Sequence, residues 1–164
     1  MRQVALVLLT ACSLGPPDVG DPVPGFELED VNPASASFGE RIGPSTFSGE
    51  RQVWYFGHSN CGYCSTQFGL LDQMVAELDA EGGAPPVAGI NAAGLEEHND
   101  LIMEGRVLPW LQDPFDDVWS SWGAEWRDIF VVDGSGIVVD KRSLTSFDLQ
   151  DDDNYAAYKA LLAE

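Results

Sequence analysis

Positive charge is scarce in this chain: eight lysines and arginines face 27 aspartates and glutamates across 164 residues, a formal net charge of −19. So acidic a balance disfavours attraction to phosphate backbones or anionic lipid headgroups, and no nucleic-acid partner is expected. Histidine and cysteine are also sparse, at two and three residues. A zinc site needs about four ligands in a recognisable spacing. Two close cysteines and the separated His58 and His98 do not supply one, so no metal and no other cofactor is expected. Ser65 follows the second cysteine of the pair where haem attachment would need histidine. No apolar run approaches the roughly 18 to 20 residues that cross a bilayer as a helix.

What is present is ordinary for a globular protein: 45% hydrophobic and 21% charged residues, with 17 glycines and 10 prolines as turn formers. The length suits one domain with a real core. The densest acidic run, Asp148, Asp151, Asp152 and Asp153, does not match a twelve-residue calcium loop. Acids just before Tyr155 to Ala163 instead suit the positive end of a last helix.

Residues 1–11 carry Arg2, an apolar stretch from Val4 to Leu9 and then small residues, the pattern of a secretory signal. Residues 12–24 read as a flexible tether and residues 25–164 as the folded domain.

Along that domain, Phe26 to Asp30 alternates as a half-exposed strand, and a loop follows to about Ser45. Val53 to Phe56 is a continuous apolar run, as in a strand buried on both faces. Cys64, Phe68, Leu71, Val75 and Leu78 then recur on one face of a helix that stops near Gly82-Gly83. Val87 to Ile90 predicts a strand, and about Leu95 to Glu104 a helix with Leu101 and Ile102 inward. Val107 to Leu111 predicts a strand and Phe115 to about Trp122 a helix. Ile129 to Val132 and Ile137 to Val139 flank Asp133-Gly134-Ser135-Gly136, strong hairpin chemistry. The pattern is α/β, a central mixed sheet flanked by helices.

Cys61-Gly62-Tyr63-Cys64 falls between the buried strand and the helix start. Free N–H groups and the macrodipole at a helix N-terminus favour an anion, so Cys61 should ionise more easily than a free thiol. Cys64, one turn later, lies on the inward face. Cys61 is therefore the candidate nucleophile and Cys64 the resolving thiol, acting through a mixed disulfide. His58 and Tyr63 are candidates to tune Cys61. Trp119, Trp122 and Trp126 stand at i, i+3 and i+7, core spacing first and a substrate groove second.

Phe56 to Cys64, with the strand before and the amphipathic helix after, resembles the active-site segment of the thioredoxin superfamily. Gly25 to Leu28 and Ser45 to Glu50 resemble the lead-in of its peroxiredoxin-like and periplasmic redoxin branches. Ile90 to Gly94, Leu108 to Asp113, Asp117 to Trp119 and Asp128 to Asp133 are similar in order to the N-terminal redox domain of selenoprotein P, with Cys61 where that family typically has selenocysteine. The resemblance implies a thioredoxin-like fold. It also places Arg127 where most thioredoxins have a cis-proline, and in peroxidase-like branches an arginine near this point stabilises the reactive thiolate. Leu9-Thr10-Ala11-Cys12 resembles the lipobox of bacterial lipoproteins, which implies a lipidated Cys12 and a protein of the bacterial cell envelope whose only membrane contact is that anchor. Ser13 after it favours the outer membrane. Export would leave Cys61 and Cys64 to pair with each other.

The expected function is thus an exported thiol-disulfide oxidoreductase acting on protein or small-molecule thiols and disulfides. The alternatives are a thiol peroxidase using the same pair on peroxides, and a non-catalytic lipoprotein that is structural or binds metal, such as copper held by the two thiols and His58.

Overall fold

Gln52 to Gly57 forms a strand in which every residue is buried. Side chains alternate across a strand. Val53 and Tyr55 accordingly enter the core on one side of the sheet, and Trp54 and Phe56 the core on the other. The computed structural model describes residues 15–164, so the predicted signal and Cys12 lie outside the described residues.

The described chain runs β1 (Leu28–Asp30), β2 (Arg41–Ile42), β3 (Gln52–Gly57), α1 (Gly62–Glu81), β4 (Val87–Asn91), α2 (Asn99–Met103), β5 (Trp110–Gln112), α3 (Asp117–Trp122), β6 (Asp128–Val132), β7 (Val138–Ser143) and α4 (Asp152–Leu162). One mixed sheet has the order β2-β1-β5-β4-β3-β6-β7. β3 and β5 each run parallel to β4, and the remaining pairs are antiparallel. Residues of α1, α2 and α4 build the core on one face, and α3 supplies Val118, Trp119 and Trp122 to the other. This is the mixed sheet flanked by helices that the sequence predicts. No described helix is long and apolar enough to cross a membrane.

The 133–136 turn closes the β6–β7 hairpin as expected: Asp133 N donates to Ile137 O, and Asp133 Oδ1 accepts from Ser135 N and Ile137 N. At the end of the chain Asp151 caps α4, accepting from the amides of Asp153 and Asn154. Gly89, in the centre of the sheet, lies beneath Trp110 and Phe68. A Cβ there would stand 2.3 Å from the Trp110 ring.

Side chains that divert the backbone account for the differences from the expected elements. The strand predicted at Val107 to Leu111 starts only at Trp110. The amides of Val107 and Leu108 donate to Asp72 Oδ1, and Asn32 Nδ2 donates to the carbonyls of Arg106 and Leu108. The second helix is one short turn after a 3-10 segment at Glu96–His98; Ile102 is buried as expected, but Leu101 is 60% exposed. The third begins at Asp117 and leaves Phe115 exposed, because Asp113 Oδ2 accepts from the amides of Val118 and Trp119. β2 falls within the predicted loop; its two residues pair Leu28 with Ile42 and Glu29 with Arg41.

Residues predicted as part of the tether are bound to the domain. Gly20 N donates to Val138 O, Val23 N to Gly136 O and Trp122 Nε1 to Pro24 O. Pro16 packs on Gly123, where a Cβ would stand 2.4 Å from the proline ring.

Candidate active site

β3 ends at Gly57, and residues 58–60 carry the chain to the start of α1. That short connection is held from β4. Buried Asn91 accepts from Ser59 N (3.0 Å) and donates to Asn99 Oδ1 (2.9 Å) and Gln112 Oε1 (3.0 Å). Ser59 Oγ donates to Leu95 O. A loop so tied gives Cys61 a fixed position.

Cys61 is the N-cap of α1, and its Sγ accepts from Cys64 N at 3.2 Å. Cys64 is fully buried against Phe68 and Tyr55 in the α1-side core, and both cysteines are free thiols. The two environments drive the thiols apart. Partial burial opposes ionisation of Cys61, but hydrogen bonds from Cys64 and from the amides of Cys64 and Tyr63, with the Arg127 charge, outweigh it and hold the thiol below its ordinary pKa. Burial pushes the Cys64 thiol up, and its hydrogen bond to Cys61 adds to the rise.

Arg127 comes to the same sulfur from the start of β6. Its Nη1 lies 3.8 Å from Cys61 Sγ, its Nε donates to Thr145 Oγ1 (2.9 Å), and its guanidinium stands over the Tyr63 ring at 5.1 Å. No cis peptide bond occurs among the described residues, and Arg127 itself has a φ of +70°. That left-handed conformation is uncommon outside glycine and asparagine. It is fixed from both sides, since Arg127 N donates to Phe56 O and its carbonyl accepts from Leu144 N.

The other predicted residues divide. Tyr63 is at the site, under the Arg127 guanidinium, and nearby Asp148 raises the tyrosine's pKa while the tyrosine helps lower the carboxylate's against the opposing effect of burial. The His58 ring packs on Trp126 (4.2 Å) and Trp119 (5.2 Å). Burial lowers its pKa, Asp116 opposing and Arg127 adding. Of the three tryptophans, Trp119 and Trp122 are buried on α3. Trp126 lies beyond the helix end at Gly123 and is 54% exposed, so the i+7 spacing does not carry it into the core. His98 ends the 3-10 segment beside Glu97 (3.4 Å). Among the described residues no group of three or more His, Cys, Asp and Glu side chains could hold a metal ion.

Sequence reasoning did not find Thr145 and Asn91, and it read Asp148 only as an acid of the α4 start. Asp148 instead accepts from Gln67 Nε2 at 2.7 Å beside Tyr63. Its spacing from Asp151 gave no sign of this.

A thiol pair with one capped, partly exposed member and one buried member, set where a central strand meets a helix, defines a thiol redox protein on a thioredoxin-like scaffold. The chain belongs to the AhpC/TSA family, whose profile matches residues 19–141. Solved structures carry the same fold. One is a Bacteroides thetaiotaomicron protein assigned as a protein disulfide isomerase (TM-score 0.70, 17% identity, covering 90% of this chain and 92% of that one). Peroxidoxin BcpB from Mycobacterium tuberculosis (0.67, 22%, 88% and 97%) and a thiol:disulfide interchange protein from Bacteroides sp. (0.63, 19%, 90% and 92%) are two more. No curated protein matches the chain in sequence.

Proposed function

We propose that the protein is a thiol-disulfide oxidoreductase. The observation that carries this reading is the Cys61 N-cap: its sulfur accepts a helix amide and meets Arg127, while Cys64 sits buried one turn behind it. Cys61 thiolate attacks one sulfur of a substrate disulfide, forming a mixed disulfide and expelling the other sulfur as a thiolate. Cys64 gives up its proton and attacks Cys61, forming the Cys61–Cys64 disulfide and releasing the second substrate thiol. The substrate gains two electrons and the protein loses two. A dithiol reductant restores the pair, and the reverse sequence oxidises dithiol substrates.

Cys64→Ser should trap the mixed disulfide and stop turnover, and Cys61→Ser should abolish both trapping and turnover. The pair should equilibrate in dithiothreitol or glutathione buffers at roughly −120 to −270 mV. A value below about −300 mV, with no reactive thiolate near neutral pH, would mark an inert bridge. Arg127 beside Cys61 and the family membership favour a second reading, reduction of peroxide to water or alcohol by the same thiolate. Cys61-dependent consumption of hydrogen peroxide faster than exchange with disulfides would establish that reading instead.

Residues 1–12 support export and lipidation of Cys12, and the resemblance they carry favours the bacterial cell envelope. Metabolic labelling with a palmitate analogue should mark the wild type and not Cys12→Ala.

A further inference from the structure

A groove of about 780 Å³ starts at Asn60, next to Cys61, and runs along the α3 side of the molecule. His58, Trp119 and Trp126 give it an aromatic wall, with the Trp126 ring tilted against His58 at 4.2 Å. Its charged lining is Asp116 and Glu125, with no lysine or arginine. Neither carboxylate forms an ion pair among the described residues. Asp116 Oδ1 accepts from Ala93 N, and Glu125 is exposed. Aromatic faces flanked by unpaired carboxylates attract a cation. Trp119 is the buried member of that wall, 92% out of solvent, and Trp126 the exposed one.

A neighbouring groove shares Trp119, Ala124, Glu125 and Trp126 but continues over Arg127, Thr145 and Ser146. Its one cation is the arginine already at Cys61. The two sides of Cys61 therefore differ in charge: two carboxylates and no cation on the Asp116 side, and Glu125 offset by Arg127 on the other. The Asp116 side favours a cation, and the Arg127 side does not.

We infer that the groove between His58, Trp126, Asp116 and Glu125 docks a cysteine-containing peptide with lysine or arginine beside the reacting cysteine. This rests on the thiol-disulfide reading above and names its substrate class: basic polypeptide segments, selected by a cation held between the tryptophan and the two carboxylates. The chain's net charge of −19 draws such segments in from a distance, so the selection weakens as salt rises.

The test uses the full chain with three disulfides: two short cysteine peptides joined to a chromophoric thiol, one flanked by lysine and arginine and the other by glutamate, and neutral hydroxyethyl disulfide. At low ionic strength kcat/KM for the basic peptide should exceed that for the acidic peptide by about tenfold, the size expected of a cation–π contact and two partly exposed charge pairs together. The ratio should fall toward one in Asp116→Asn/Glu125→Gln and should shrink in Trp126→Ala. Asparagine suits the φ of +56° at position 116, and Glu125→Gln alone serves if the double variant misfolds. A wild-type ratio near one, or a ratio that these substitutions leave unchanged, overturns the inference while the thiol-disulfide reading stands. If none of the three disulfides reacts, it is that reading that falls. Calorimetric binding of the same peptides with serine for cysteine then judges the groove: preference for the basic peptide, lost on Glu125→Gln, sustains it, and equal binding overturns it.

Discussion

The two faces of the sheet are built differently. On one, the 20-residue α1 lays Cys64, Phe68, Leu71, Met74 and Leu78 against β3, β4 and β6, and α4 closes the layer. On the other, α3 has six residues; its Trp122 meets Phe130 edge-on and Phe56 at 45°, Phe56 meets Phe130 edge-on, and Trp54 shares the same core. The long-helix face is sealed, and its apolar depth keeps Cys64 protonated. The short-helix face ends at Gly123 and leaves Trp126 half in solvent beside the groove. One face sets the chemistry of the thiols and the other shapes what reaches them.

The strongest way to break that contrast is to open the sealed face. Phe68 is fully buried, stacked on Tyr55 (centroids 6.0 Å, planes 12° apart) and set against Trp110 (4.9 Å). Phe68→Ala should cost about 3–5 kcal/mol of stability. Trp126→Ala on the open face should stay within about 0.5 kcal/mol. Urea denaturation of both variants checks the pair, and comparable losses would mean that the two faces are equally load-sharing.

Asn91 ends β4, and a smaller effect is expected there. Asn91→Ala leaves Ser59 N without its partner inside the protein, while Asn99 Oδ1 keeps Trp110 Nε1 and Gln112 Oε1 keeps Asn99 Nδ2, a loss of about 1–3 kcal/mol. Hydrogen exchange should quicken at Ser59 more than in the centre of α1. Uniform quickening would show that the residue supports the whole fold rather than the loop ahead of Cys61.

Periodicity made much of this legible in the sequence. The unbroken apolar run of β3, the spacing of Cys64, Phe68 and Leu71, and the Asp-Gly-Ser-Gly turn each specify their element locally, and the position of the cysteines follows. Illegible were the places where a distant side chain takes over a backbone group. Asp72 and Asn32 delay β5, Asp113 delays α3, and no local pattern announces partners 36, 76 or 5 residues away. The same holds within the site. Arg127 could be placed near Cys61 by resemblance, but Thr145, which orients it, lies 18 residues further along in a turn with no periodic signal.

The smallest effect concerns that arginine, because a charge contact partly open to solvent is worth little. In Arg127→Gln the amide keeps polar character near Thr145 and loses the positive charge beside Cys61. A positive neighbour favours the thiolate, so removing it moves the Cys61 pKa upward. Alkylation by iodoacetamide follows the thiolate fraction and rises as pH passes through that pKa. The variant's midpoint should therefore lie at higher pH than the wild type's, with alkylation at neutral pH slowed a few-fold. Cys64, buried and shifted the other way, should stay slow in both proteins across that range. An unchanged Cys61 midpoint would assign its acidity to the helix amides alone, leaving Arg127 as part of the wall that separates the two grooves.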